Sequence, residues 1–165
     1  MKKITSLILS FFLLLLTVVF PASAQDERYE PFRGGNSKVI ACDGGGDLII
    51  SDPIVSINPC RKGAKLEIEA ERFYALYDSD DNLEWKYTLY ATFEYEYGVS
   101  SVCTNAYYVQ NIYKGNWTFS NGAAYTSANS ATGTGRYVEK YLFITINTIE
   151  VSLTMTCDVF GNVTS

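Results

Sequence analysis

From Trp85 to Tyr97 every odd position is apolar or aromatic, while the even positions are Lys86, Thr88, Tyr90, Thr92, Glu94 and Glu96. Side chains alternate across a strand with a period of two, so this run predicts a long strand with one face on a core and the other in water. Leu66 to Glu71 alternates in the same way. Its phase then shifts near Arg72 and Phe73, which predicts a bulge. The Ala, Glu and Leu content of 65–77 also suits a helix. The short polar segment Asp78 to Asn82 decides for a strand, because it makes 65–77 and 84–97 the two arms of a hairpin.

The rest of the chain repeats the theme with weaker signals. Lys38 to Ala41 reads as a short strand, Asp43 to Asp47 as a turn, and Leu48 to Ile57 as a β-branched edge strand weakened at Pro53. Asn105 to Tyr113 and Trp117 to Ser120 read as strands, and Asn121-Gly122 is the pair best suited to a two-residue hairpin turn. Tyr125 to Tyr137 is rich in small residues, including Gly133 and Gly135, and predicts a flexible or edge strand. Tyr141 to Ile146 and Ile149 to Cys157 complete the set. About eight strands with closely spaced turns and no helical pattern predict an all-β fold. The expected form is a single antiparallel β-sandwich, Ig-like or a related Greek key, with a barrel as the alternative.

The N-terminus carries a different pattern. Lys2 and Lys3 precede a nearly unbroken apolar run over 4–20, and Ala22-Ser23-Ala24 places small residues before Gln25. These are the parts of a cleaved signal peptide spanning 1–24. A retained anchor is the alternative, but the run only just reaches the length of about 17–25 residues needed to span a bilayer. Residues 25–37 then form a polar N-terminal lead and 38–165 a single β-rich domain, secreted or extracytoplasmic, with no membrane span in the mature chain. The chain has 13 basic and 18 acidic residues, a net charge of −5 that becomes more negative without Lys2 and Lys3. That balance speaks against nucleic acid and anionic membrane surfaces as partners.

Export also changes how the four cysteines are read. An even number in an oxidising compartment predicts two disulfides. Of the three pairings, Cys42–Cys60 closes a short Gly-rich segment, and Cys103–Cys157 ties the start of one strand to the end of the last. Each bond would stabilise by roughly 3–4 kcal/mol through the unfolded chain. Zinc is disfavoured, since the chain has no C-x-x-C pair and no histidine.

The lack of histidine removes Ser-His-Asp and Cys-His nucleophile systems and leaves paired carboxylates as the route to catalysis. Glu67, Glu69, Glu71, Glu94 and Glu96 instead fall on polar strand faces, so no catalytic residue and no cofactor are expected. Asp78, Asp80 and Asn82 begin like a calcium loop, but Leu83 and Leu89 stand where an EF-hand needs glycine and glutamate. A solvated turn is the better reading, with a simple calcium site as a weak alternative. Tyr107, Tyr108, Tyr113, Trp117 and Tyr125 form the candidate ligand face, because Tyr and Trp combine an apolar body with a polar tip. The expected role is a non-catalytic secreted or cell-surface domain that binds an extracellular protein or glycan. A small carboxylate-dependent hydrolase and a bacteriocin-like inhibitory effector are the alternatives.

The segment from Trp85 onward resembles a group of small secreted bacterial proteins of Gram-positive type. The likeness is carried by Thr92-Phe-Glu-Tyr95, the Gly98 to Cys103-Thr104 turn, Trp117, and Leu153-Thr-Met-Thr-Cys157-Asp with Gly161-Asn162. It covers about half the chain, supports the Cys103–Cys157 pairing and implies no activity.

Overall fold

The computed structural model describes residues 37–41, 46–57 and 65–165. The signal peptide, the lead as far as residue 36, and Cys42 and Cys60 lie outside the described residues. Ten strands follow in order: β1 Ser37–Ala41, β2 Asp47–Ser51, β3 Ile54–Ile57, β4 Leu66–Tyr77, β5 Leu83–Glu96, β6 Ser100–Ile112, β7 Trp117–Ser127, β8 Ser130–Tyr141, β9 Ile144–Cys157 and β10 Val163–Thr164. They form two antiparallel sheets that do not close into a barrel, a six-stranded one ordered β1-β2-β4-β5-β6 with β3 also on β4, and a four-stranded one ordered β10-β9-β8-β7. The sandwich class expected from the alternation holds. Its connectivity is a pair of meanders, since β4 to β6 and β7 to β10 each pair in chain order. The segment expected as one edge strand around Pro53 is two, β2 and β3, which pair with successive halves of β4.

The two sheets share one core, and their contributions are unequal. Trp85, Tyr87, Leu89, Ala91, Phe93 and Tyr95 of β5 are all buried, as the alternation predicts, and Ala131, Tyr137, Val151, Leu153 and Met155 meet them from the smaller sheet. Tyr97 falls outside β5 in the turn and is 70% exposed. The rings of Trp85 and Tyr137 stack at 3.9 Å, and the Tyr87 hydroxyl donates toward the Thr134 carbonyl at 3.1 Å. Gly133 and Gly135 lie where these rings press in. A Cβ on Gly133 would sit 2.7 Å from the Tyr87 oxygen, and one on Gly135 would sit 2.5 Å from the Phe119 ring. That explains why β8 is a central strand, paired with β7 and β9, and not the edge strand its small residues predict. Arg72 adds a polar tie between the sheets, donating from Nε to Ser51 O in β2 and from Nη1 to Thr154 O in β9, both at 3.0 Å.

Three local expectations are corrected. Pairing of β4 with β5 runs without interruption through Arg72↔Leu89 and Phe73↔Thr88, and the register shift comes later, between Leu76 and Tyr77. What looked like a change of phase is burial on both faces: Ile49, Phe73, Ala75 and Tyr77 form a second cluster on the outer side of β4. Asn121-Gly122 is not a hairpin turn but a bulge within β7, between Ser120↔Arg136 and Ala123↔Thr134. Asn121 takes φ 54°, and a Cβ on Gly122 would lie 2.6 Å from both Phe119 and Tyr108, so ring packing requires the glycine there. The third is Tyr141 to Ile146, which is not one strand but the tip of the β8–β9 hairpin, turning at Leu142-Phe143.

Candidate ligand-binding face

The outer face of the larger sheet carries two cross-strand rows. Direct pairing lines up Ile54, Glu71, Tyr90 and Tyr107 across β3, β4, β5 and β6, and next to them Ser56, Glu69, Thr92 and Asn105. Directly opposed residues share a face of the sheet. These eight residues, with Val55, Ala70 and Ala91, line a groove of about 320 Å³. The Tyr90 and Tyr107 rings stack at 5.0 Å and 14°. Partial burial, the neighbouring Glu71 charge and the adjacent Tyr107 push the Tyr90 hydroxyl to a raised pKa, and a hydrogen bond to Glu71 adds to the shift.

The five aromatic residues expected to form one ligand face do not come together: three lie on separate surfaces and two point inward. Tyr107 is half exposed in the groove. Tyr108 and Trp117 point inward: Tyr108 stacks on Tyr87 at 5.4 Å, and Trp117 is 3% exposed, edge-on to Trp85 at 5.9 Å, with Nε1 donating to Glu84 at 2.9 Å. Tyr125 pairs with Thr132 on the outside of the smaller sheet, and Tyr113 is exposed just past the end of β6. The partner Tyr107 does have, Tyr90, sits at an even position of the Trp85–Tyr97 alternation. A lone aromatic among Lys, Thr and Glu on a polar strand face is the signal that identifies it.

The Asp78–Asn82 segment is a closed turn. Asp78 Oδ1 accepts from the amides of Asp80 and Asn82 at 2.9 and 2.8 Å, and Lys114 Nζ donates to Oδ2. Lys114 above all, with the Asn82 amide, holds the Asp78 carboxyl well below the usual range. Asp158 builds the same turn with the amides of Phe160 and Asn162 at 2.8 and 2.9 Å. The fourth residue has positive φ in both, Asp81 at 61° and Gly161 at 85°. Both oxygens of the Asp78 carboxylate are thus engaged, by the turn amides and by Lys114. Among the described residues no group of three or more Cys, Asp or Glu is placed to hold a metal ion.

Cys103 and Cys157 are buried thiols in this structure, so the bond expected between them is not formed in it. Their amides bond to consecutive residues of the turn between β7 and β8: the Cys103 amide donates to Ala128 O at 2.8 Å and the Cys157 amide to Asn129 O at 3.0 Å. Burial raises the pKa of both thiols. Among the described residues no helix is long and apolar enough to cross a membrane. No family model matches the chain, and no match was found among the curated proteins or the solved structures.

Proposed function

We propose that this chain is an exported, non-catalytic β-sandwich module that binds a glycan on the outer face of its larger sheet. The observation that carries the reading is the two-row groove, in which a stacked tyrosine pair adjoins Glu69, Glu71, Thr92, Asn105 and Ser56. A sugar ring has apolar C–H faces and a hydroxyl rim, and needs apolar surface and convergent polar groups together. The groove lining contains no cation to select an anion. Binding is favoured over hydrolysis by the placement of its two carboxylates. Glu69 and Glu71 lie two residues apart on one strand, about 7 Å along it, and reach a ligand from the same side. Glycosidase carboxylates flank the scissile bond. The apolar leader with its Ala-Ser-Ala site supports export.

A glycan array probed with the exported protein tests the proposal. Tyr90→Ala and Tyr107→Ala are expected to abolish retention of the bound sugars, while Tyr125→Ala, on the other sheet, leaves it intact. Absence of any bound glycan, or binding indifferent to Tyr90 and Tyr107, refutes it. In the exported protein Cys103 and Cys157 join as a disulfide, each losing one proton and one electron to a disulfide-bearing oxidase. The neighbouring carbonyls of Ala128 and Asn129 that hold the two amides support this.

A further inference from the structure

The β8–β9 hairpin continues past the end of its sheet. β7 makes its first pair at Trp117↔Glu139, and beyond it Lys140↔Thr145 and Tyr141↔Ile144 continue as a ribbon of two strands. Every residue from Lys140 to Thr148 is exposed. Globular surfaces do carry single exposed apolar residues, but here they are concentrated. Tyr141, Leu142, Ile144 and Ile146 are 66%, 73%, 67% and 58% exposed, and Phe143 at the turn is 99% exposed.

The backbone of the turn is an independent observation. Leu142 and Phe143 have φ of 44° and 72°, and they are the two central residues of a two-residue loop. Asn-Gly is the pair suited to that geometry, and bulky side chains there are strained. Neither side chain recovers the strain by packing, since both point into solvent. Strain retained at an exposed position points to a role outside the fold.

The chemistry of the tip selects the partner. The apolar groups occupy the turn and both strands of a ribbon that continues past the end of its sheet. A medium that surrounds the tip satisfies them all. In a chain with 18 acidic residues, the segment from Lys140 to Ile149 contains none, so nothing negative is desolvated when the tip enters an apolar layer. Tyr141 at the base of the turn and the adjacent Lys140 are the residue types that settle at a membrane interface, the lysine by extending its charge back toward water. We propose that the Tyr141–Ile146 hairpin tip inserts into the interface of a lipid bilayer and anchors the domain peripherally, driven by apolar burial and not by charge.

The test uses the exported protein made from the full chain and sedimented with neutral phosphatidylcholine vesicles. The variant Leu142→Asn/Phe143→Gly installs the residues the turn geometry prefers, so it keeps the fold and is expected to melt at or above the wild-type temperature. Its vesicle partitioning is expected to fall at least tenfold, about 1.4 kcal/mol. Phe143→Trp adds a direct reporter, whose emission should shift to the blue and be quenched by bromine-labelled lipid tails. The proposal is overturned if wild-type protein does not sediment with neutral vesicles, or if the double variant partitions equally. It is also overturned if binding requires anionic lipid and disappears in salt, or if the tip is buried in a concentration-dependent dimer.

Discussion

Replacing Gly133 by alanine tests the packing between the sheets most directly. Alanine is the better strand residue by about 0.5–1 kcal/mol, because glycine loses more backbone freedom on folding. Against that gain, the new Cβ would lie 2.7 Å from the Tyr87 hydroxyl oxygen and 2.9 Å from Leu89 Cδ1. Neither neighbour can move aside freely, since Tyr87 and Leu89 are both fully buried. Overpacking of this kind costs about 1–3 kcal/mol, so with the strand gain subtracted the expected net effect is a loss of about 0–2.5 kcal/mol. For a domain of this size that is a fall in melting temperature of about 4 °C per kcal/mol. Removing the clashing oxygen with Tyr87→Phe should relieve part of the loss. Tyr87→Phe alone costs about 1 kcal/mol through its bond to Thr134. Gly133→Ala should then cost less in the Phe background, a coupling of at least about 0.5 kcal/mol. Urea denaturation of the four proteins in the cycle measures this, with unchanged slopes required for the comparison. A clearly stabilising Gly133→Ala, or strict additivity, would refute the packing argument.

Two further outcomes follow from polar contacts. Arg72→Met should destabilise by about 1.5–3 kcal/mol in the same urea assay, because Ser51 O and Thr154 O both lose a charged donor; a loss below that range would show that the tie between the sheets is dispensable. The Asp78 carboxyl is depressed by Lys114 and its own turn amides, so the stability it contributes is full above the ordinary carboxyl pKa of about 3.9 and is lost as pH falls below it. Asp78→Asn should flatten that acid limb in melting temperatures taken from about pH 2 to pH 6, and an unchanged limb would place the acid sensitivity elsewhere.

The alternation of β5 was readable because one face of a long strand is wholly buried and the other is not. Wherever burial departed from that rule, the pattern misled. Around Phe73 and Ala75 both faces of β4 are covered, and the second cluster looked like a bulge. Asn121-Gly122 has the composition of a turn, but the local preference was overruled by Phe119 and Tyr108, whose rings need the space a side chain would fill. The glycines of β8 indicated looseness, while their actual cause is packing against them, by Tyr87 and Leu89 of the facing sheet at Gly133 and by Phe119 of the neighbouring β7 at Gly135. Tyr107 was legible as a candidate and Tyr90 as a lone aromatic on a polar strand face, but not that the two rings stack. Their contact depends on the register of β5 against β6, which no local pattern reports.

The core therefore accounts for much of the aromatic content, and the proposed groove and tip contacts rest on aromatic residues left outside it. Trp85, Tyr87, Phe93, Trp117 and Tyr137 are buried, and the small residues of β8 make room for rings from the facing sheet. Folding requires these. It does not require an aromatic at 90, where threonine would maintain the strand and continue the polar face of Thr88 and Thr92. Nor does it require Leu142-Phe143, where Asn-Gly would make the same turn without strain. At both places a residue with an alternative that would satisfy the fold presents apolar surface to the outside. The groove and the hairpin tip are two regions whose residues the packing of the sandwich does not require, and each meets its surroundings with a different chemistry. Tyrosine hydroxyls, carboxylates and an amide line the groove, whereas the turn of the tip presents only leucine and phenylalanine. A single partner satisfying both would need a polar, hydrogen-bonding part and an apolar one. Two separate partners, a glycan at the groove and a lipid layer at the tip, match the two surfaces without that requirement.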